Sequence, residues 1–301
     1  MIDRTKTISL AAVAIIGIIA TVAVACFVDA HRPPPDPTAA DESLYLDPTT
    51  AKRMSLSFNG LAADWYWMRS LQYVGQKILD HEADIALDDL SQLDLKLLAP
   101  LLDNATTLDP QFMDPYEYAA VVLPAIDVQE AIRITRKGIE ANPDAWRLYH
   151  QLGYIYWQQE DYSAAAEVYG RGAQLPDAPV WMQAMKARMA AEGGSRATAR
   201  DIYTHMFEQS ADESIKDMAR RRLMQLDSWD ERDALRKVLS AHKVRTGRCP
   251  ANWREVEQTL RSLRAPVDAS GAPLDPSGAA YVLQTATCDV ELGPNSEIIV
   301  K

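Results

Sequence analysis

Cys249 and Cys288 are the residues whose type and placement most directly permit chemistry. They are the only cysteines of the chain outside an apolar N-terminal run. In an oxidising compartment such a pair suggests one disulfide, closing a loop of about 40 residues. Two separate buried thiols are the alternative. Neither cysteine has a His or Cys at ligand spacing beside it, so no metal site is expected. The five histidines, at 31, 81, 150, 205 and 242, are scattered. No phosphate-binding loop, nucleophile elbow, dinucleotide fingerprint or paired zinc histidines occur. Carboxylates are plentiful, but no acid and base pair stands out. The expectation is a noncatalytic protein without cofactor or small-molecule substrate.

Composition narrows the partners. A net charge of −11 disfavours nucleic acid, whose phosphates it would repel. The charge is uneven, with 20 acidic and 9 basic residues over 29–145 but 12 acidic and 17 basic over 186–264. Solvated helix faces account for this most simply. Seven Trp and twelve Tyr against four Phe supply amphipathic rings suited to grooves as well as cores.

The elements that must position these side chains follow from pattern. Ile8–Val28 carries no charge and is just long enough to cross a bilayer as a helix. Arg4 and Lys6 before it favour a cytoplasmic N-terminus, with the body outside. Two other readings place the body there too. Ala23-Val24-Ala25 fits a signal-peptidase site, and Ala25-Cys26 loosely fits a lipoprotein box that would make Cys26 a lipidation site. Residues 29–52, with Pro33-Pro34-Pro35 and Pro37, read as a stiff tether. A long helix is expected over 53–76, with Leu61, Trp65, Met68 and Gln72 on one stripe and Ala62, Tyr66 and Tyr73 on another. Apolar matter on two sides predicts burial between neighbours rather than membrane contact through Trp65 and Trp67. A further helix is expected over Leu90–Leu108.

From Trp146 to Pro179 the pattern becomes periodic. Leu152, Gly153 and Tyr156, then Ala165, Tyr169 and Gly172, sit at helical spacing, with Pro176 as a stop. Ala131, Ala165 and Ala199 are evenly spaced, and Tyr169 returns as Tyr203 at the same interval. A fixed period of about 34 residues marks a helical repeat array. The spacing and residues resemble the tetratricopeptide repeat over 111–213, with 53–110 a degenerate first unit and 214–245 a helical cap. Two helices, Ser214–Leu226 and Trp229–His242, are expected in that cap.

The resemblance implies a concave groove lined by the first helix of each unit. Carried onto this chain, it points to Tyr116, Arg147, His150, Tyr154, Trp157, Gln158, Trp181, Arg188 and Glu192. These would take a partner protein or a segment of one. The last stretch, 246–301, reads as a small α+β domain. A short helix over Trp253–Leu263 precedes a hairpin formed by Tyr281–Leu283 and Ile298–Val300. Its order of Gly247-x-x-Pro250, helix, then Asp275-Pro276-x-Gly278-x-x-Tyr281 resembles the C-terminal segment of pseudopilins.

The expected architecture is thus mostly α. It is a tetratricopeptide-type solenoid with an N-terminal transmembrane helix and a small C-terminal α+β segment. The expected function is that of a scaffold in the bacterial inner membrane, single-pass, with its body in the periplasm. Pilus, secretion or export assemblies are the settings implied. An outer-membrane lipoprotein pilotin, or an envelope enzyme whose repeats recruit substrate, is the alternative.

Overall fold

The computed structural model describes residues 17–27, 46–80, 90 and 92–298. Residues 17–27 form a helix, α1, whose side chains are all exposed. Among the described residues no helix is long and apolar enough to cross a membrane. The first half of the Ile8–Val28 run and most of the proline tether lie outside the described residues.

The protein is mostly helical, with one small sheet near the C-terminus. The helix expected over 53–76 is two helices, α2 (Pro48–Met54) and α3 (Asn59–Asp80). Asp47 starts α2 by accepting hydrogen bonds from the Thr49 and Thr50 amides. Ala51 is buried, so the chain joins the folded body before residue 52. Leu56 and Ser57 at φ of 48° and 78° break the helix before α3 begins. The outer stripe of α3 also departs from expectation. Ala63, Tyr66, Ser70, Tyr73 and Val74 are buried, whereas Leu61, Trp65, Met68 and Gln72 are exposed. Trp67 instead packs edge-on against Phe112 and Tyr118.

Helix α4 (Leu98–Leu108) starts later than the apolar composition from Leu90 onward implies. Leu93 and Leu95 are buried from a turn, a role that needs no helical period. Next come α5 (Met113–Val122), a 3-10 turn over Leu123–Ala125, and α6 (Val128–Ala141). Two further hairpins follow, α7 (Trp146–Gln158) with α8 (Tyr162–Gly172), and α9 (Trp181–Glu192) with α10 (Arg196–Gln209). From α3 to α10 each helix packs on the next, and α5 also packs on α7.

The second helices begin at evenly spaced N-caps, Asp127, Asp161 and Ser195. Asp127 accepts from the Gln129 and Glu130 amides and Asp161 from that of Ala164. The turns before Asp161 and Ser195 place Glu160 and Gly194 at φ of 58° and 86°. Ala131, Ala165 and Ala199 are fully buried, as the small-residue period requires. Close approach is tightest at glycines. A Cβ on Gly138 would lie 2.8 Å from the Tyr116 ring, and one on Gly172 would lie 2.7 Å from Tyr149 Cβ.

Helix α11 runs unbroken over Glu213–Thr246, correcting the expected pair of helices. The expected break at Asp227-Ser228 contains neither Gly nor Pro, and Ser228 is fully buried. Gly247 ends α11 at φ 78°, the left-handed conformation that closes helices. The last segment folds onto the C-terminal half of α11, where Leu235, Val238 and Leu239 share a core with Trp253, Val256, Leu260, Tyr281 and Val290. A 3-10 turn, Trp253–Val256, leads into α12 (Glu257–Ser262). The hairpin pairs β1 (Val282–Gln284) with β2 (Asp289–Glu291), Leu283 facing Val290. Ile298 is therefore not a strand partner but a buried plug, and residues 299–301 lie outside the described residues.

Cys249 and Cys288 are joined as a disulfide, with Cα atoms 5.6 Å apart. The Asp275-Pro276-x-Gly278 motif is a folding device. Buried Asp275 accepts from the Ser277 and Ala279 amides and the Ser277 hydroxyl. Burial works against its ionisation, yet these hydrogen bonds and that of Ser296 hold its carboxyl below the usual range. Tyr281 then donates to Glu231 Oε2 at 2.9 Å, tying the motif to α11.

Candidate binding surface on helices α7 and α9

Helix α7 has no proline and only Gly153 as an interior weak point, and it alternates two kinds of face. Leu148, Tyr149, Leu152, Ile155 and Tyr156 are buried against neighbouring helices. Arg147, Tyr154 and Gln158 are exposed, with His150 and Trp157 half-buried at the edge of that outer face. Helix α9 adds exposed Trp181 and half-buried Arg188 and Glu192. The two helices meet through these side chains in a constant register. His150 meets Trp181 at 4.9 Å, and Trp157 meets the Arg188 guanidinium at 4.5 Å. Both pairs have the same separation in sequence, so α7 and α9 run in the same direction.

Two clusters result. At the N-terminal ends, Arg147 lies 5.0 Å over the Trp146 ring, and Trp146 packs edge-on against Trp181 at 5.9 Å. His150 joins this cluster, and burial pulls its imidazole below the ordinary histidine range. It is therefore neutral at pH 7 and presents a ring to the aromatic cluster. At the C-terminal ends, the Glu192 carboxylate accepts from Trp157 Nε1 at 3.1 Å and from Arg188 Nε at 2.7 Å. That fixes Trp157 and Arg188 face to face, a cation–π contact. Tyr154 packs edge-on against Trp157 at 5.7 Å and accepts a hydrogen bond from Gln158. Tyr154 keeps 40% of its surface exposed and Trp181 42%. The arrangement offers rigid rings and a positioned guanidinium, the groups that dominate recognition energy at protein interfaces.

Tyr116 does not belong to this surface. It is fully buried, its ring lies against Gly138, and its hydroxyl donates to the Thr106 carbonyl at 3.2 Å. Burial pushes its phenol up to about 12. Tyr149 in α7 is likewise buried and packs at Gly172, as Tyr116 does at Gly138. A one-residue slip in the repeat register makes this interior position look like a surface one. Trp146 belongs to the surface although the repeat pattern does not single it out. The available signal is its place one helical turn before His150, on the same face.

The surface continues toward α11. A cleft of about 280 Å³ is lined by Arg188, Glu192, Tyr203, Arg222, Gln225 and Trp229. Beyond Glu192 and Trp229 a second cleft, about 320 Å³, adds Arg196, Arg232 and Arg236. A further cleft, about 760 Å³, lies elsewhere, between the turn at 92–96, α4 and the start of α6. None of the nine groove residues named from sequence lines it.

Asp103 at its edge is held by Lys137 Nζ at 2.7 Å and Arg133 at 3.2 Å. Burial opposes its ionisation, but the Lys137 and Arg133 contacts outweigh that and keep its carboxyl low. These charges satisfy one another and serve the fold. Among the described residues no cluster of three or more His, Cys, Asp or Glu is placed to hold a metal. A scan of protein-family models and a search of curated proteins find no match to this chain.

Proposed function

We propose that the protein is a noncatalytic scaffold that captures a partner protein, or a segment of one, on the α7–α9 face. In this reading α5–α10 are tetratricopeptide-type repeats. The regular recurrence of N-caps and the parallel register of α7 and α9 support that assignment. One observation carries the functional reading: exposed Tyr154 packs on a Trp157–Arg188–Glu192 network already locked in place, and exposed Trp181 stands at the other end of the same face. Pre-ordered side chains lose little freedom on binding. Ile8–Val28 anchors the chain in the bacterial inner membrane, with the repeats in the periplasm serving an envelope assembly of the pilus, secretion or export kind. The Cys249–Cys288 disulfide suits an oxidising compartment.

Crosslinking capture from membranes tests the surface, comparing wild type with Tyr154→Ala plus Trp157→Ala. Loss of specific partners from the folded double variant is expected. Identical partners from both proteins would refute it. Cys26 is exposed and unpaired, which keeps the lipoprotein alternative testable. Mass spectrometry of the mature N-terminus decides: an intact Met1-to-Val28 segment supports the anchor, and a lipidated Cys26 replaces it.

A further inference from the structure

Helix α3 is apolar on both sides, and one of them faces solvent. Its inner face is fully engaged by Ala63, Tyr66, Ser70, Tyr73 and Val74. On the outer face Leu61 is 71% exposed, Trp65 51%, Met68 53% and Leu79 81%. These positions recur at intervals close to whole helical turns, so they form one stripe along the helix. Met54, Leu56 and Phe58, in and just after α2, are exposed as well. Single exposed apolar residues are ordinary, but a contiguous patch of this extent marks an interaction surface.

Two observations identify the partner as lipid. The first is the ring at the middle of the stripe, since tryptophan favours the headgroup boundary. The second is chain length. Only residues 28–45 separate α1 from Leu46, and a segment of that length spans at most about 60 Å. A face tethered that close to a bilayer meets it as an intramolecular event.

We propose that α2 and α3 lie flat on the membrane surface, with Leu61, Trp65 and Met68 inserted at the headgroup–acyl boundary. This rests on the membrane-anchor reading above. The rest of the molecule is then held at a fixed attitude to the bilayer rather than swinging on its tether.

Full-length protein reconstituted into phosphatidylethanolamine–phosphatidylglycerol vesicles, with or without brominated acyl chains, tests the proposal. Bromine should quench Trp65 emission in wild type, up to one part in seven of the total tryptophan signal. Trp65→Phe should lose that quenching, while Trp181→Phe should keep it. Leu61→Glu plus Met68→Glu alters only exposed positions, so it should retain its helical circular dichroism and lose the quenching. Protein that floats with vesicles but quenches equally in wild type and Trp65→Phe would overturn the lipid face and leave the anchor standing. Protein that fails to float would overturn both. An unquenched, blue-shifted Trp65 with a dimer mass in detergent would assign the face to a second copy instead.

Discussion

A close helix–helix approach between α7 and α8 yields a substitution whose sign the structure decides. In isolation, Gly153→Ala should stabilise, because alanine favours a helix interior over glycine by about 1 kcal/mol. In the folded protein the new Cβ would lie 2.7 Å from Tyr169 Cε2 and 2.9 Å from Cδ2 and Cζ. Carbon atoms rest at about 3.5–4.0 Å, so the ring must retreat by roughly 1 Å. Tyr169 is fully buried and the His150 ring lies beside it, leaving little room for that retreat. Overpacking of this kind costs about 1–3 kcal/mol, so the net change is a loss of roughly 0–2 kcal/mol.

Gly75, inside α3, meets nothing within 4 Å, so Gly75→Ala should gain about 1 kcal/mol. Urea titration in mild detergent, followed by far-ultraviolet circular dichroism, compares the two variants. Adding Tyr169→Leu to Gly153→Ala should recover part of the loss, giving a coupling of about 0.5–3 kcal/mol between the two sites. If Gly153→Ala raises the midpoint as Gly75→Ala does, α7 and α8 are not in contact there and the packing argument fails.

Other outcomes follow from buried polar groups and cross-links. Among the described residues the Tyr169 hydroxyl is buried without a hydrogen-bond partner, so Tyr169→Phe should leave the midpoint unchanged or raise it by about 1 kcal/mol. Lys137→Met strips Asp103 of its shorter ion-pair contact and should cost about 1–3 kcal/mol in the same titration. The depressed Asp103 carboxyl contributes stability that is present above the unfolded value of about 3.9 and lost as pH falls through the lower folded value. Asp103→Asn should therefore flatten the acid limb of a stability–pH curve. His150 has the opposite chemistry but the same direction: its folded value lies below the unfolded one, so stability declines as pH drops below about 6.5. His150→Gln should remove that step. Cys249→Ser plus Cys288→Ser opens a link across a sequence separation of 39 and should destabilise the α12–hairpin segment by about 2–4 kcal/mol, read as faster proteolysis there.

Much of the helical body was legible because its rules are local and periodic. Ala131, Ala165 and Ala199 announce close helix contacts wherever they occur, and all three are buried. The cap period of Asp127, Asp161 and Ser195 was equally available and would have set the helix starts more firmly. The cysteine pairing was readable because two thiols in one small domain have few alternatives. Pattern is least informative where local chemistry is neutral. Asp227-Ser228 carries no helix breaker, and one helix runs through it where two are expected. Ile298 has strand character, but Leu283 pairs with Val290 and Ile298 is buried outside the sheet.

Side-chain direction lay beyond what pattern alone can reach. A single residue of register separates Tyr116 in the core from His150 on the surface, because one helical step rotates a side chain by about 100°. The two stripes of α3 are equally apolar in composition, and only the position of α4 and α5 decides which one is covered. The Trp157–Arg188–Glu192 network joins distant parts of the chain through the stacking of α7 on α9. Residue type and spacing dictate that helices form and pair. Which face remains open, and which charges and rings meet across it, depends on where the neighbouring helices come to rest.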